Sequence, residues 1–310
     1  MLELIRVKKD IPFMRWARST IFVSVAMMLA SIFFLVTKGL NLGVDFTGGT
    51  VMEIGYVQSA DIPAIRAQLA QHGHADAQVQ NFGTAREVLV RLPLKVGVTS
   101  AQLSEEIMGV LKQQDAGVQL RRVEFVGPQV GQELLDDGSL ALVVVSLGIM
   151  IYLALRFEWR MALGAIFSSV HDIIVVLGVW ALFQWEFSLT VLAAVLAILG
   201  YSVNDTVVVF DRIRENFKKT RIADVAALMD NAKTATLSRT IITSGTTCLM
   251  VIAMLLFGGE VLHGFALCLL IGIVVGTYSS VLVASPISLW LGVSREDFIK
   301  PVKSESGAMV

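Results

Sequence analysis

Six long apolar stretches constrain the fold of this 310-residue chain more than any other feature of its sequence. The hydrocarbon core of a bilayer is about 30 Å thick, and a helix of about 20 apolar residues spans it. Hydrophobic residues make up 55% of the chain, charged residues make up 16%, and the mean hydropathy is +0.70. The sequence therefore predicts an α-helical integral membrane protein with six transmembrane helices. The predicted spans are 17–37, 139–155, 161–183, 189–210, 237–257 and 264–284.

Lys and Arg are distributed unevenly among the connections, and such residues stay preferentially on the cytoplasmic side of a membrane. They cluster before the first span, between the second and third, after the fourth and after the sixth, whereas loops 184–188 and 258–264 contain none. Both termini are therefore predicted to be cytoplasmic. A cleaved signal peptide is the alternative for the first span, but its apolar stretch exceeds the usual length of about 7–15 residues. The predicted cytoplasmic parts are residues 1–16, loop 211–236 with an amphipathic helix at 223–234, and tail 287–310.

Residues 38–137, between the first two spans, have an ordinary polar composition and are numerous enough to form a domain. Asp61 and Pro63 mark the start of a helix, and alternating apolar residues mark strands. The element order β-α-β-β-α-β predicts a periplasmic α+β ferredoxin-like domain, with two helices on one face of a four-stranded antiparallel sheet. The predicted strands are 49–57, 77–83, 86–93 and 118–127, the helices are 60–73 and 99–114, and the membrane domain resumes over 138–286.

Several function classes are disfavoured by what the sequence contains. No nucleophile with a nearby base forms a catalytic constellation, so the chain is not expected to be an enzyme. His72 and His74 flank Gly73 at a helix end and are expected to be solvated, because no acidic or cysteine partner stands at metal-ligand spacing. No metal or other cofactor is expected. The net charge of only -1 gives no global basic field for a nucleic acid.

Asp205 lies inside the apolar fourth span, in the string GYSVNDTVVVFDRIREN (200–216). A carboxylate in hydrocarbon costs several kcal/mol unless it is protonated, paired or facing water. Asp205 is therefore predicted to be a proton or ion site. The alternative is a packing polar group that is hydrogen-bonded across helices.

Three further polar residues of the membrane domain are candidates for the same site. Asn204 stands beside Asp205, and His171 and Asp172 lie about 15 Å deep in the third span, at 1.5 Å per residue. Because adjacent helical residues face apart, we expect only one of His171 and Asp172 to share a face with Asp205, while the other bonds locally or snorkels. A proton-relay role and a packing role both remain open for this pair.

Arg239 opens the fifth span and is followed by hydroxyl residues in the string SRTIITSGTT (238–247). It is either an interfacial residue that snorkels to the headgroups or a partner of Asp205. An Arg partner would favour the charged carboxylate while burial favours the neutral one, so the proton would be held in balance. The hydroxyls that follow are predicted to bond across helices or to hold water; they belong to Thr240, Thr243, Ser244, Thr246 and Thr247.

Three strings, VDFTGGT (44–50), 200–216 and 238–247, together closely resemble the bacterial SecD/SecF protein-export family, part of the resistance-nodulation-division superfamily. The resemblance covers nearly the whole chain and implies the smaller, six-span subunit in the bacterial inner membrane. It implies a larger partner, SecD, and the use of inward proton flow to draw secreted preproteins through the SecYEG channel. By position in the motifs, Asp205 would be the proton-linked carboxylate and Arg239 its basic counterpart. Gly48 and Gly49 would form a hinge into the external domain.

The leading hypothesis is thus a non-enzymatic motor subunit in which protonation of Asp205 shifts helix packing. One alternative is a subunit of a proton-driven small-molecule exporter of the same superfamily, although such exporters resemble larger chains with two six-span repeats. The other alternative is a passive scaffold for translocase assembly, in which Asp205 only packs. Whether Asp205 and Arg239 touch is left open by the sequence.

Overall fold

The structure, a computed structural model, describes residues 9–94, 98–219 and 224–298. Long helices form a bundle, and a small α+β unit is inserted between the first two of them. The helices are α1 (Ala17–Thr37), α2 (Val44–Thr47), α3 (Ile62–Gln71), α4 (Ser100–Lys112), α5 (Pro128–Arg156), α6 (Trp159–Phe183), α7 (Leu189–Lys219), α8 (Val225–Phe257), α9 (Gly259–Leu282) and α10 (Ala284–Trp290). The strands are β1 (Asn41–Leu42), β2 (Gly49–Gly55), β3 (Gln78–Phe82), β4 (Thr84–Leu92), β5 (Gln119–Val126) and β6 (Glu186–Phe187).

Six helical stretches in the described part of the chain are long and apolar enough to cross a membrane, which confirms the predicted number. In the most apolar stretch of each of α6, α7 and α9, at least half of the residues are buried inside the bundle. By contrast, the corresponding stretches of α1, α5 and α8 are only 11%, 11% and 17% buried. These three helices therefore present broad apolar faces that need lipid or another membrane protein to cover them.

The helices extend beyond the predicted spans at several ends. Pro128, at the first position of α5, begins that helix inside the segment predicted as external domain. The predicted loop 211–236 is largely helical, since α7 continues to Lys219 and α8 begins at Val225. The prediction of a separate amphipathic helix at 223–234 is wrong. Asp224 caps α8 by accepting the Ala226 N–H at 2.9 Å, and α8 continues from there into the fifth span without a break. The length of an apolar stretch reflects the thickness of the bilayer, whereas the ends of a helix are set by its capping residues, which can lie beyond that stretch.

The predicted terminal segments are only partly described. Residues 1–8 of the N-terminal segment 1–16 and residues 299–310 of the tail 287–310 lie outside the described residues, as do 220–223 of the loop. The start of the predicted tail is helical, because α10 follows α9 after a single residue, Val283.

The inserted unit, here called the sheet domain (49–126), has the predicted ferredoxin-like fold. Its strands lie in the order β3-β4-β2-β5, each antiparallel to its neighbours, and α3 and α4 pack on one face. Asp61 caps α3 by accepting the Ala64 N–H at 3.2 Å, and Thr99 and Gln102 form a capping box on α4. The core between sheet and helices is apolar and fully buried, with Met52, Ile54, Leu69, Val88, Val90, Ile107 and Leu111 at its centre.

His74 is placed differently from the sequence prediction. Its side chain is buried, and its ring Nε2 lies 3.1 Å from Glu106 Oε1 on α4. His72 is exposed, as predicted. The turn after α3 folds back toward α4 and brings His74 to Glu106. These residues are 32 positions apart, so no local sequence pattern predicts their contact.

A short parallel pair of strands joins the start of the sheet domain to the membrane domain. Strand β1 pairs with β6, and the Gly43 N–H donates to the Phe187 carbonyl at 2.9 Å. Phe46 of the one-turn helix α2 stacks on Phe187 with a centroid distance of 5.9 Å. Strands of two residues are too short to produce an alternating pattern, so the sequence did not predict this junction.

Gly48 and Gly49 adopt backbone conformations that disfavour a side chain, with φ values of +69° and +144°. Both are buried. A Cβ on Gly49 would lie 2.7 Å from the Leu92 carbonyl oxygen, and one on Gly131 of α5 would lie 2.9 Å from the Phe46 carbonyl oxygen. The segment that connects α2 to the sheet domain is therefore closely packed at Gly48 and Gly49. Its predicted role as a hinge stays a prediction.

Gly49→Ala is expected to destabilise the protein by about 1–3 kcal/mol, the usual cost of a non-glycine residue held at such a φ. The reason is the combination of φ +144° with the 2.7 Å approach to Leu92. Thermal unfolding in detergent measures the effect. Gly109→Ala is the matched control, because its Cβ meets nothing within 4 Å in the middle of α4, and it should stabilise by about 0.5–1 kcal/mol. A Gly49→Ala melting temperature at or above that of the unsubstituted protein would contradict the prediction.

Candidate functional site

Asp205 is buried between α7, α8 and α9, with only 8% of its surface exposed. Its Oδ1 accepts a hydrogen bond from the Thr240 hydroxyl of α8 at 2.8 Å. Its Oδ2 accepts one from the Ser280 hydroxyl of α9. Each carboxylate oxygen thus accepts from a neutral donor on a different helix. These are the cross-helix hydrogen bonds expected if Asp205 is a packing polar group, the alternative that the sequence left open.

Arg239 does not meet Asp205 in this structure. Over the described residues, no Lys, Arg or His forms an ion pair with Asp205. Arg239 is exposed while the next residue, Thr240, is buried and bonds the carboxylate, because successive residues of a helix face about 100° apart. Asn204 is exposed on the other side of α7 for the same reason. The roles predicted for Arg239 and Asn204 stay predictions.

A second buried carboxylate, Asp172, lies on α6. Its Oδ1 is 2.9 Å from His171 Nδ1, and its Oδ2 accepts hydrogen bonds from Ser202 of α7 and, at 2.7 Å, from Ser279 of α9. Both His171 and Asp172 are almost completely buried. One member of this pair was expected to bond locally or to snorkel, and His171 does bond locally, because its ring contacts the neighbouring Asp172. His171 Nε2 is buried and finds no hydrogen-bond partner in the described part of the chain.

Helices α7 and α9 link the two carboxylates. Ser202 and Asp205 lie one turn apart on α7, and Ser279 and Ser280 are adjacent on α9. We call these four residues, with Asp172, His171 and Thr240, the carboxylate cluster. Close approach of α7 and α9 is permitted by the small residues that begin and end the string GIVVG (272–276) of α9, since a Cβ on Gly276 would lie 3.1 Å from Ser202 Cβ.

Other hydroxyls continue this polar region through the bundle. Tyr201 donates to Ser244 at 2.8 Å, and Ser244 lies 2.9 Å from the Thr277 hydroxyl. Of the α8 hydroxyls predicted from sequence, Thr240 and Ser244 therefore bond across helices. The remaining three bond carbonyls of their own helix; they are Thr243, Thr246 and Thr247.

The predictions from the sequence did not include the serines of the cluster, Ser202, Ser279 and Ser280. Single serines are common in apolar helices, where they serve close packing. Only the rotation and depth of each helix in the bundle aim these hydroxyls at a carboxylate. The one local signal is the adjacent pair Ser279 and Ser280 near the end of an apolar helix.

This arrangement suits reversible protonation. An ionised carboxylate away from water is costly when no cation compensates it, whereas the neutral acid is tolerated. Hydroxyl groups both donate and accept, so they can rotate to serve either form of Asp205. An Arg in contact would shift this balance toward the charged form.

Known protein families match both the carboxylate cluster and the segment that contains Gly48 and Gly49. A family model described as "Protein export membrane protein SecD/SecF, C-terminal" matches residues 106–294, and one described as "SecD/SecF GG Motif" matches 33–60. The proteins named "Protein translocase subunit SecF" from Vibrio alginolyticus and Pseudomonas aeruginosa are each 50% identical to the chain. The first match covers 99% of this chain and 98% of the relative, and the second covers 86% of each.

A solved structure shares the fold. The crystal structure of SecDF from Thermus thermophilus, described as a translocon-associated membrane protein, matches with a TM-score of 0.81 and 35% identity. The match covers 94% of this chain and 39% of that longer chain. With matching family models over 106–294 and 33–60 and a relative 50% identical over 98% of its length, the chain belongs to the SecD/SecF family of protein-export membrane proteins.

Proposed function

We propose that this chain is an accessory subunit of the Sec translocase that couples inward proton flow to the export of preproteins. It works with SecD and the SecYEG channel in the bacterial inner membrane, with both termini cytoplasmic and the sheet domain periplasmic. The observation that carries the proposal is the burial of Asp205 among hydroxyl donors from α8 and α9, without a cationic partner in the described residues.

Protonation of Asp205 would change its hydrogen bonds with two other helices. The ionised carboxylate only accepts, so Thr240 and Ser280 both donate to it. The neutral acid carries one O–H donor, so the contact at its protonated oxygen can reverse, with the hydroxyl accepting instead of donating. In this proposal, that exchange of donor and acceptor alters the packing of α7 against α8 or α9.

The available driving force is large enough for such a change. Moving one charge through 100 mV releases about 2.3 kcal/mol, which biases a two-state equilibrium about 50-fold. Asp172 and His171 extend the protonatable region through Ser202 and Ser279. In this proposal they form a relay beside Asp205, and Arg239 and Asn204 are accessible parts of the proton path.

The partnership with SecD is supported by surface and by similarity. The SecDF chain of Thermus thermophilus is much longer than this chain, which matches 39% of it. The faces of α1, α5 and α8 expose large apolar side chains, including Phe22, Leu155 and Phe257. A second membrane subunit would cover faces of this kind.

The hydrogen bonds of Asp205 also fit the passive scaffold, in which the carboxylate only packs. An exporter subunit is less well supported, because the relatives are named as translocase subunits and match 99% and 86% of the chain.

The test is export into vesicles that contain this chain, SecD and SecYEG, with a proton gradient imposed or collapsed by an uncoupler. The quantity measured is the fraction of preprotein protected from added protease. We expect the chain to stimulate export only when the gradient is present. Equal stimulation with and without the gradient would refute proton coupling and leave the scaffold. Vesicles lacking this chain give the baseline.

A further inference from the structure

We propose that Asp45 is a positioning residue that ties the helix carrying Asp205, α7, to the base of the sheet domain. The inference rests on the proposed proton coupling and adds to it the route by which a movement of α7 reaches the external domain. It is carried by contacts at the junction between loop 184–188 and the segment before Gly48.

The first step is the cap on α7. Asp45 Oδ2 accepts the backbone N–H of Leu189, the first residue of α7, at 2.9 Å. Ser188, which precedes the helix, offers its hydroxyl to the Val191 N–H at a longer 3.4 Å. A free N–H at the start of α7 is thus satisfied by a side chain 144 residues earlier in the chain. The carboxylate also complements the positive end of the helix dipole.

The second step is the stiffness of the segment that holds Asp45. It belongs to the one-turn helix α2, which lies directly between β1 and Gly48. Strand β1 pairs with β6, Phe46 stacks on Phe187, and Gly131 of α5 brings its backbone against α2. Displacement of the start of α7 would therefore act on α2 and, after the single residue Gly48, on strand β2 of the sheet domain.

The third step is a second attachment between the same loop and the sheet. Arg91 of β4 forms an ion pair with Glu186 of β6. Burial lowers the pKa of Arg91 to about 10, and the negative charge of Asp45 opposes that effect, so Arg91 stays protonated at neutral pH. Beside this ion pair, a cavity of about 490 Å³ lies between the open sheet face and the loop, with Glu53 and Trp185 in its walls. In this proposal, the cavity is the space into which the sheet tilts.

The final step joins these contacts to the carboxylate cluster. Leu189 and Asp205 are 16 residues apart on one uninterrupted helix, or about 24 Å at 1.5 Å per residue. Because the helix is uninterrupted over this distance, a shift at Asp205 can be carried to its capped end. Asp45 and the ion pair of Arg91 with Glu186 then pass the shift to the sheet.

The experiment measures whether the sheet domain responds to the charge of Asp205. In the full chain assembled with SecD in lipid, spin labels are placed at Thr37→Cys and Glu105→Cys, both exposed positions, after the two native cysteines are replaced by Ala. Asp205→Asn serves as the permanently neutral form. We expect this substitution to shift the distance between the labels. An unchanged distance with Asp45 intact would overturn the proposed function.

The junction variants then test the inference separately. Asp45→Ala removes the acceptor for the Leu189 N–H, and we expect it to abolish the shift that Asp205→Asn produces. Asp45→Asn keeps an acceptor oxygen and should retain the shift. A full shift in Asp45→Ala would overturn the inference and leave proton coupling standing. Loss of the shift in Asp45→Asn as well would overturn the assignment to this hydrogen bond.

Two further variants make the result specific. Asp61→Ala removes a cap of the same kind from α3, far from the junction, and should leave the shift intact. Should Asp45→Ala fail to assemble, Glu186→Gln decides the question, because it weakens the ion pair with Arg91 and keeps the side-chain length. We expect Glu186→Gln to reduce the shift at least twofold, and an undiminished shift would overturn the inference.

Discussion

Asp205→Asn is expected to abolish the gradient-dependent part of preprotein export while leaving the complex assembled. Asn has nearly the size of Asp, and its side-chain oxygen can still accept from Thr240. It cannot take up or release a proton at physiological pH. The ratio of export with the gradient to export without it should therefore fall to about one, the value in vesicles without the chain, in the protease-protection assay described above.

Thr240 provides the matched pair of controls for this result. Thr240→Ser keeps the hydroxyl that donates to Asp205 and should keep the gradient-dependent stimulation. Thr240→Val removes it at nearly constant volume, leaving one carboxylate oxygen without its donor, and should reduce the stimulation. If Asp205→Asn retains full stimulation, while Asp205→Leu loses only assembly with SecD, the passive scaffold is the correct description.

Gly178→Ala is expected to have the largest effect on stability, because α1 and α6 touch at this position. A Cβ there would lie 2.1 Å from Ser31 Cβ and 2.5 Å from Ser31 Cα, so the two helices have to separate. Overpacking of this kind typically costs about 1–3 kcal/mol, and a clash with backbone places the cost at the upper end. Thermal unfolding of the purified chain in detergent measures it.

Gly148→Ala is the control for the chemistry of the substitution. Gly148 lies on the exposed face of α5, where a Cβ meets nothing within 4 Å, so its melting temperature should not fall. Ser31→Gly, combined with Gly178→Ala, transfers the side chain from one helix to the other and should recover part of the loss. Equal stability of Gly178→Ala and Gly148→Ala would show that α1 and α6 do not pack as described.

The features that the sequence predicted well are those with a local physical cause. The apolar windows predicted six spans because the bilayer thickness fixes their length. Asp61 and Pro63 predicted the start of α3, since capping depends on neighbouring residues only. Strand alternation in the sheet domain predicted its element order, and the ferredoxin-like order of strands followed from it.

Contacts between distant segments were not predicted. The pairing of β1 with β6, the burial of His74 against Glu106 and the cap of Asp45 on α7 join residues 32 to 145 positions apart. No periodic pattern predicts such contacts, because neither partner's neighbouring sequence contains any trace of the other.

For the candidate site, too, the sequence predicted what has a local cause and did not predict the contacts between helices. The sequence by itself singled out Asp205, because an acidic residue in an apolar span is unusual wherever the helix points, and it placed the chain in its family through the motifs around that residue. Only the tertiary structure decided which groups reach the carboxylate. It turned Thr240 and Ser280 toward Asp205 and Arg239 away from it, and it paired Asp172 with His171. The physical reason is that helix rotation and depth are set by packing against neighbouring helices, which one helix's own sequence does not encode.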